Sequence, residues 1–172
     1  MSQSTKDVIF KSHNCDLDCR LKQGMSMIRL TLALTISLSC TVAHALDNNC
    51  QKINSMKKAV ACVIYYESRG EPFLGKVSTG WVVRNRIESR DFPQTPSKVV
   101  KQAGAFTWYN PKKSHVASYK PSWDESVSIA KAIVEDRLAD PTDGALFFER
   151  CHKTPPTWYR SLYGNHCFRE VY

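Results

Sequence analysis

One carboxyl group in this sequence stands where a general acid could be made. Glu67 follows Val60 by seven positions and Val63 by four. That spacing puts all three on one face of an α-helix, so the glutamate shares the apolar stripe rather than the wet face. Gly70 and Pro72 follow at once and predict the helix end, with Gly70 as a left-handed stop. Glu67 therefore falls in the last turn. Burial penalises a carboxylate anion, and the negative end of the helix dipole penalises it further. A glutamic acid that keeps its proton near neutral pH can protonate a leaving oxygen, as glycosidic cleavage requires. The same spacing also fits a structural ion pair with Arg69 or with another helix.

Such a residue needs a scaffold, and the periodicity supplies a helical one. Ile53, Met56, Val60, Val63 and Ile64 recur at three- and four-residue steps and predict the helix that carries Glu67. A second helix is expected over about Gly75 to Glu88, with Val77, Trp81, Val83 and Ile87 as its apolar positions. Asp91-Phe92-Pro93 breaks it. Thr95 caps a short third helix with Pro96 in its first turn, and Gly104 ends it. Ser122 and Glu125 form a capping box for a fourth helix reaching about Ala139. Asp140-Pro141 and Asp143-Gly144 read as turns, and Leu146 to Phe148 as a short strand. The tail from Cys151 to Tyr172 reads as loop. The fold class is mainly α with minor β, in a single domain.

The first 45 residues read as an N-terminal extension plus a secretory signal peptide. Leu30 to Val42 is an unbroken apolar or small run, short for a membrane span, with Arg29 before it. Ala43-His44-Ala45 closes it in the small-x-small pattern of signal peptidase sites, so cleavage is expected after Ala45. Met25 or Met27 would make a start of ordinary length. The domain is then residues 46–172, secreted or periplasmic, with no stable membrane insertion.

Of the seven cysteines, Cys50, Cys62, Cys151 and Cys167 remain beyond Ala45. An even set in an exported chain reads as two disulfides. Three pairings are open, and Cys50–Cys62 with Cys151–Cys167 is the sequence-local choice. A zinc site from Cys151, His152, His166 and Cys167 lacks a C-x-x-C core, and neither a metal nor a cofactor is expected. The chain carries 24 basic and 16 acidic residues, a net charge of +8. A basic domain suits an acidic polymer. Export, disulfides and the lack of a helix-turn-helix, zinc-finger or RNA-binding signature argue against nucleic acid as the partner.

The run Tyr66-Glu67-Ser68-Arg69-Gly70-Glu71-Pro72, with Gly75 and then Asn85-Arg86, resembles the SleB-type cell wall hydrolases, the catalytic domains of spore-cortex-lytic enzymes and their relatives. Phe92-Pro93, Val99-Val100, Gly104 with Phe106, Gly144-Ala145 and His166-x-Phe168 extend the resemblance over about Ala59 to Phe168. Ser68 stands where the family usually has Ala. No separate wall-binding domain precedes this stretch, so a role in germination is not implied. The resemblance implies a lysozyme-like fold related to goose-type lysozymes and lytic transglycosylases. It implies an enzyme acting on peptidoglycan glycan strands, with Glu67 as the catalytic glutamate; the chain is expected to be a monomer.

In the family's chemistry one acid suffices. It protonates the oxygen between N-acetylmuramic acid and N-acetylglucosamine, then takes a proton from the sugar's 6-hydroxyl as a 1,6-anhydro ring closes. A hydrolytic muramidase would need a second carboxylate about 5–9.5 Å away. Glu71, Asp91, Asp124 and Asp143 are available and spacing marks none of them; Glu71, beyond the helix stop, suits a loop-ordering role. A non-catalytic wall-binding module is the other alternative, though binding alone does not need a buried acid. Phe106, Trp108 and Tyr109 have flat faces suited to pyranose rings. Arg69 can fork onto glycan or peptide carboxylates. Asn85 and Arg86 close the second helix where they could face the groove. His166 reads as structural.

Overall fold

A computed structural model of the chain describes residues 45–151 and 161–169. The expected leader, with Cys15, Cys19, Cys40 and the alternative starts, lies outside the described residues, as do 152–160 and 170–172 in the tail. Helix α1 spans Met56–Val63, where Ser55 at the N-cap accepts from the Lys58 amide at 3.2 Å. Its apolar face is fully buried: Val60 and Val63 are 0% exposed. The helix does not run on as α-helix to Gly70. At Ile64 it widens into a π-helical turn, Ile64–Ser68. There the buried Ser68 hydroxyl donates back to the Ile64 carbonyl at 3.1 Å. Nor is Gly70 a left-handed stop, since the glycines with positive φ are Gly104, Gly144 and Gly164. A widened last turn spends its spare residue inside the helix, and no left-handed residue is needed to end it.

Helix α2, Phe73–Glu88, is the central element. Val77, Trp81, Val83 and Ile87 are buried as expected, and so are Gly80 among them and Ser78 and Thr79 outside that stripe. The two hydroxyls are satisfied internally, donating to the carbonyls of Leu74 at 2.7 Å and Gly75 at 2.9 Å. Gly80 allows the three longest helices to close on one another. A Cβ there would stand 2.6 Å from Ile133 Cδ1 and 3.0 Å from Ile64 Cδ1. Helix α3 spans Pro96–Lys101, with Thr95 at the N-cap but no side-chain cap bond.

Helix α4 spans Lys120–Val134, shorter at its C-terminal end than expected. The predicted capping box does not form. Pro121 fits the first turn, so the helix starts three residues early, with Tyr119 at the N-cap in place of Ser122. Glu125 instead pairs with Lys76 at 2.8 Å, joining α4 to α2. Ahead of α1, residues 46–53 form a strap across the helices. Trp123 Nε1 donates to the Leu46 carbonyl at 3.3 Å. Asn49 bridges Val116, and the buried Lys58 ammonium bonds Asp47.

The sheet is a correction to the loop expected at the tail. Strands β1 (Phe147–Arg150), β2 (Ser161–Tyr163) and β3 (His166–Arg169) pair antiparallel in the order β1-β3-β2. Phe148 lies opposite Phe168 and Glu149 opposite Cys167. Tyr163 lies opposite His166, so Gly164-Asn165 is the hairpin turn. Both expected disulfides form, Cys50–Cys62 across 5.8 Å between Cα atoms and Cys151–Cys167 across 5.2 Å. The first ties the strap to α1, and the second ties the end of β1 to β3.

Candidate active site

The π turn decides where Glu67 lies. Glu67 lies in that turn, four residues after the fully buried Val63. The wider turn leaves it half-buried at the core's edge, with Tyr65 and Ser68 buried on either side. No hydrogen bond or ion pair to its carboxyl group occurs among the described residues. Burial pushes its pKa above the ordinary value of 4.5, and the Arg86 guanidinium pulls in the opposite direction without cancelling the shift. Glu67 is thus a carboxyl group biased toward its acid form, with one cation positioned to favour the anion when it appears.

Arg86 comes from the last turn of α2 and is 6% exposed. Its Nε donates to the Leu146 carbonyl at 2.6 Å. Its guanidinium carbon lies 5.2 Å from the Phe92 ring centre, 5.3 Å from Phe106 and 5.4 Å from Phe147. These rings hold the cation in a dry, polarisable setting. Arg86 also lines a cavity of about 350 Å³ between the α2–α3 region, the 102–105 segment and strands β1 and β3. Glu67 is not part of that lining.

The aromatic segment folds over the residue preceding the glutamate. Trp108 stacks on Tyr66 with ring centres 4.4 Å apart and planes at 16°. His115, buried, meets Tyr66, Trp108 and Tyr109 at 6.0, 5.3 and 5.6 Å, and the Asn110 amide lies 3.0 Å from its Nε2. Trp108 and Tyr109 are half-buried beside the glutamate's helix end. Phe106 is different: at 4% exposure it is a core residue beneath Arg86, with no open face for a sugar ring. Arg69 is exposed, with its guanidinium 5.2 Å above the Tyr65 ring. Asn85 spends its amide within the fold, donating to Asp140 at 2.9 Å and to the Ala145 carbonyl at 3.1 Å, which fixes the 140–145 turn.

Glu71 is a loop tie. It accepts from the Asn165 backbone at 2.8 Å and from the Asn165 side chain at 3.1 Å. Burial alone would raise its pKa, but the two Asn165 bonds together with the charges of His166 and Arg150 hold the carboxyl group below the ordinary range. His166, in β3, is held below its usual 6.5 chiefly by burial. Tyr66 and His115 belong to this neighbourhood although no sequence spacing assigns them to it. They lie far apart in the chain, and only the fold brings them together.

The profile of the Cell Wall Hydrolase family matches residues 70–169. The chain belongs to that family. Glu67 stands three residues ahead of the matched span. Among curated relatives, the chain is 36% identical over 90 residues to a spore cortex-lytic enzyme of Bacillus cereus, covering 52% of this chain and 32% of that enzyme. It is 33% identical over 91 residues to the spore cortex-lytic enzyme of Oceanobacillus iheyensis, covering 52% of this chain and 30% of the other. The chain thus spans about a third of the length of the curated relatives it matches. Its fold is similar to that of the catalytic domain of the Bacillus cereus SleB protein. The TM-score is 0.51 at 26% identity, over 69% of this chain and 95% of that domain. The lysozyme-like, helix-rich architecture with a small sheet follows from that likeness.

Proposed function

We propose that residues 46–172 are the catalytic domain of an exported enzyme that cleaves peptidoglycan glycan strands between N-acetylmuramic acid and N-acetylglucosamine. Glu67 is its single acid and base, and its products carry 1,6-anhydro ends. The reading rests on one observation above the others: a half-buried glutamate, without a hydrogen-bond partner among the described residues, whose proton is held by burial. Such a group gives its proton to the bridging oxygen, and the growing positive charge on the sugar favours the carboxylate it leaves behind. Arg86 stabilises that carboxylate. Glu67 then accepts the 6-hydroxyl proton as the ring closes, which restores the acid. Trp108 and Tyr109 supply ring faces to the glycan, Arg69 reaches its charged substituents, and Asn85 and Phe106 position the groove from within.

The hydrolytic alternative needs a second carboxylate on the far side of the sugar. Glu71, the nearest in sequence, is committed to Asn165, and this favours the anhydro route. Digestion of purified sacculi, followed by mass analysis of the released muropeptides, tests the reading. Ends lacking one water are expected. Ordinary reducing ends would replace it with hydrolysis, and cut peptides on intact glycan would remove both.

A further inference from the structure

The cavity beside Arg86 has no place in the single-acid chemistry, and its lining is chemically unlike a glycan site. Arg86 and Arg169 share the ring of Phe147, with guanidinium carbons 5.4 and 5.3 Å from its centre. Phe92 forms a further apolar wall, and the exposed carboxylates of Asp91 and Glu149 complete the rim. About 350 Å³ is within the range of small-ligand sites. Two forked cations match carboxylates, and two carboxylates match an ammonium group. The glycan backbone of peptidoglycan is uncharged. The peptide stem on each muramic acid is not: it carries carboxylates and, at its diamino acid, an amine. Arg86 joins the two places, since the same side chain lines the cavity and acts on Glu67.

We propose that this cavity is a stem-peptide subsite, which selects strands whose muramic acid bears a zwitterionic peptide. The proposal rests on the glycan-cleaving reading above, and it adds a substrate requirement that the acid chemistry does not contain. A peptide seated between Arg169 and Glu149 would set the register of the strand, bringing the adjoining glycosidic oxygen to Glu67.

The test compares intact sacculi with the same sacculi stripped of peptides by an amidase, using the full chain. Wild type is expected to show a higher kcat/KM on peptide-bearing strands, carried by KM. In Arg169→Gln and in Glu149→Gln the ratio of kcat/KM between the two substrates should fall about fivefold to tenfold, the order of one charged contact. Equal kcat/KM for both substrates in wild type, or an unchanged ratio in both variants, would overturn the subsite. Glu149 is exposed on its strand, so its variant carries the test if Arg169→Gln does not fold. Calorimetric titration with the free stem tetrapeptide separates the two readings. Peptide binding that Glu149→Gln weakens, with neither substrate cleaved, would keep the cavity and discard the glycosidic activity. Cleavage without such binding would do the reverse.

Discussion

Glu67 and Glu71 are the same side chain four residues apart, and the fold drives their protons in opposite directions. Glu67 lies near the end of a helix whose last turn widens, where it is half-buried and has no donor among the described residues. Glu71 lies past the helix in a loop, where the β2–β3 turn brings it a backbone amide and a side-chain amide. Burial acts on both and wins only at Glu67, because at Glu71 hydrogen bonds to the anion, with the charges of His166 and Arg150, outweigh it. Solvent exclusion alone therefore does not make an acid. What makes one is exclusion without donors, and the boundary between the two cases here is the π turn and the stop that follows it.

The sharpest way to break this contrast is Glu67→Gln. Loss of the proton donor should lower kcat on sacculi about a thousandfold, near 4 kcal/mol in the barrier, with the far-ultraviolet circular dichroism unchanged. Activity within tenfold of wild type would move the acid elsewhere. Gly164→Ala attacks the other side. Gly164 sits at φ +66, and a Cβ there would run into Glu71 Oε2 and come within 2.8 Å of Pro72 Cδ. Thermal unfolding should show a loss of about 2 kcal/mol. Combining it with Glu71→Gln should be clearly less than additive, because both act on one contact.

Much of this contrast is legible in the order of residues alone, and the reason is locality. The three- and four-residue recurrence around Val60 and Val63 marks the buried face, because burial of a helix stripe depends on near neighbours. The two disulfides follow from sequence proximity. The π turn leaves no trace, since Ile64 to Ser68 reads equally well as α-helix and only packing against α2 and α4 selects the wider ladder. Ser122 and Glu125 match a capping box, yet Pro121 and the reach of Lys76 from another helix prevail. The strands β2 and β3 are three and four residues long, too short for alternation to show. His115 enters the aromatic group through pairing with the 48–50 strap, a contact that no local pattern encodes.

Trp108→Ala probes the aromatic cover over Tyr66, the residue next to Glu67. Removing the ring that stacks on Tyr66 should raise KM on sacculi about tenfold. It should also admit water near the helix end. The alkaline limb of the pH–rate profile, where the proton donor is lost, would then move to lower pH, as the Glu67 carboxyl group relaxes toward its ordinary value. A KM effect with an unmoved limb would assign Trp108 to the glycan alone.

The smallest effects carry the clearest sign. Glu71 is held below its ordinary pKa of 4.5, so its bonds to Asn165 contribute stability above that value and lose it as the pH falls through the folded pKa. Glu71→Gln should therefore lower the melting temperature at pH 7, by the equivalent of about 1 kcal/mol for a partly solvated charged bond, and leave it nearly unchanged in acid. Glu67 is raised, so its burial is cost-free only while it is protonated. Its contribution is fully present below 4.5 and is lost as the pH rises through the folded pKa. Glu67→Gln should accordingly match wild type in acid and melt above it at neutral pH. The two melting-temperature differences, plotted against pH, should diverge in opposite directions from a common origin in acid, below the folded pKa of Glu71. Parallel curves would mean that both carboxyl groups meet water alike, and the π turn would then have no electrostatic consequence.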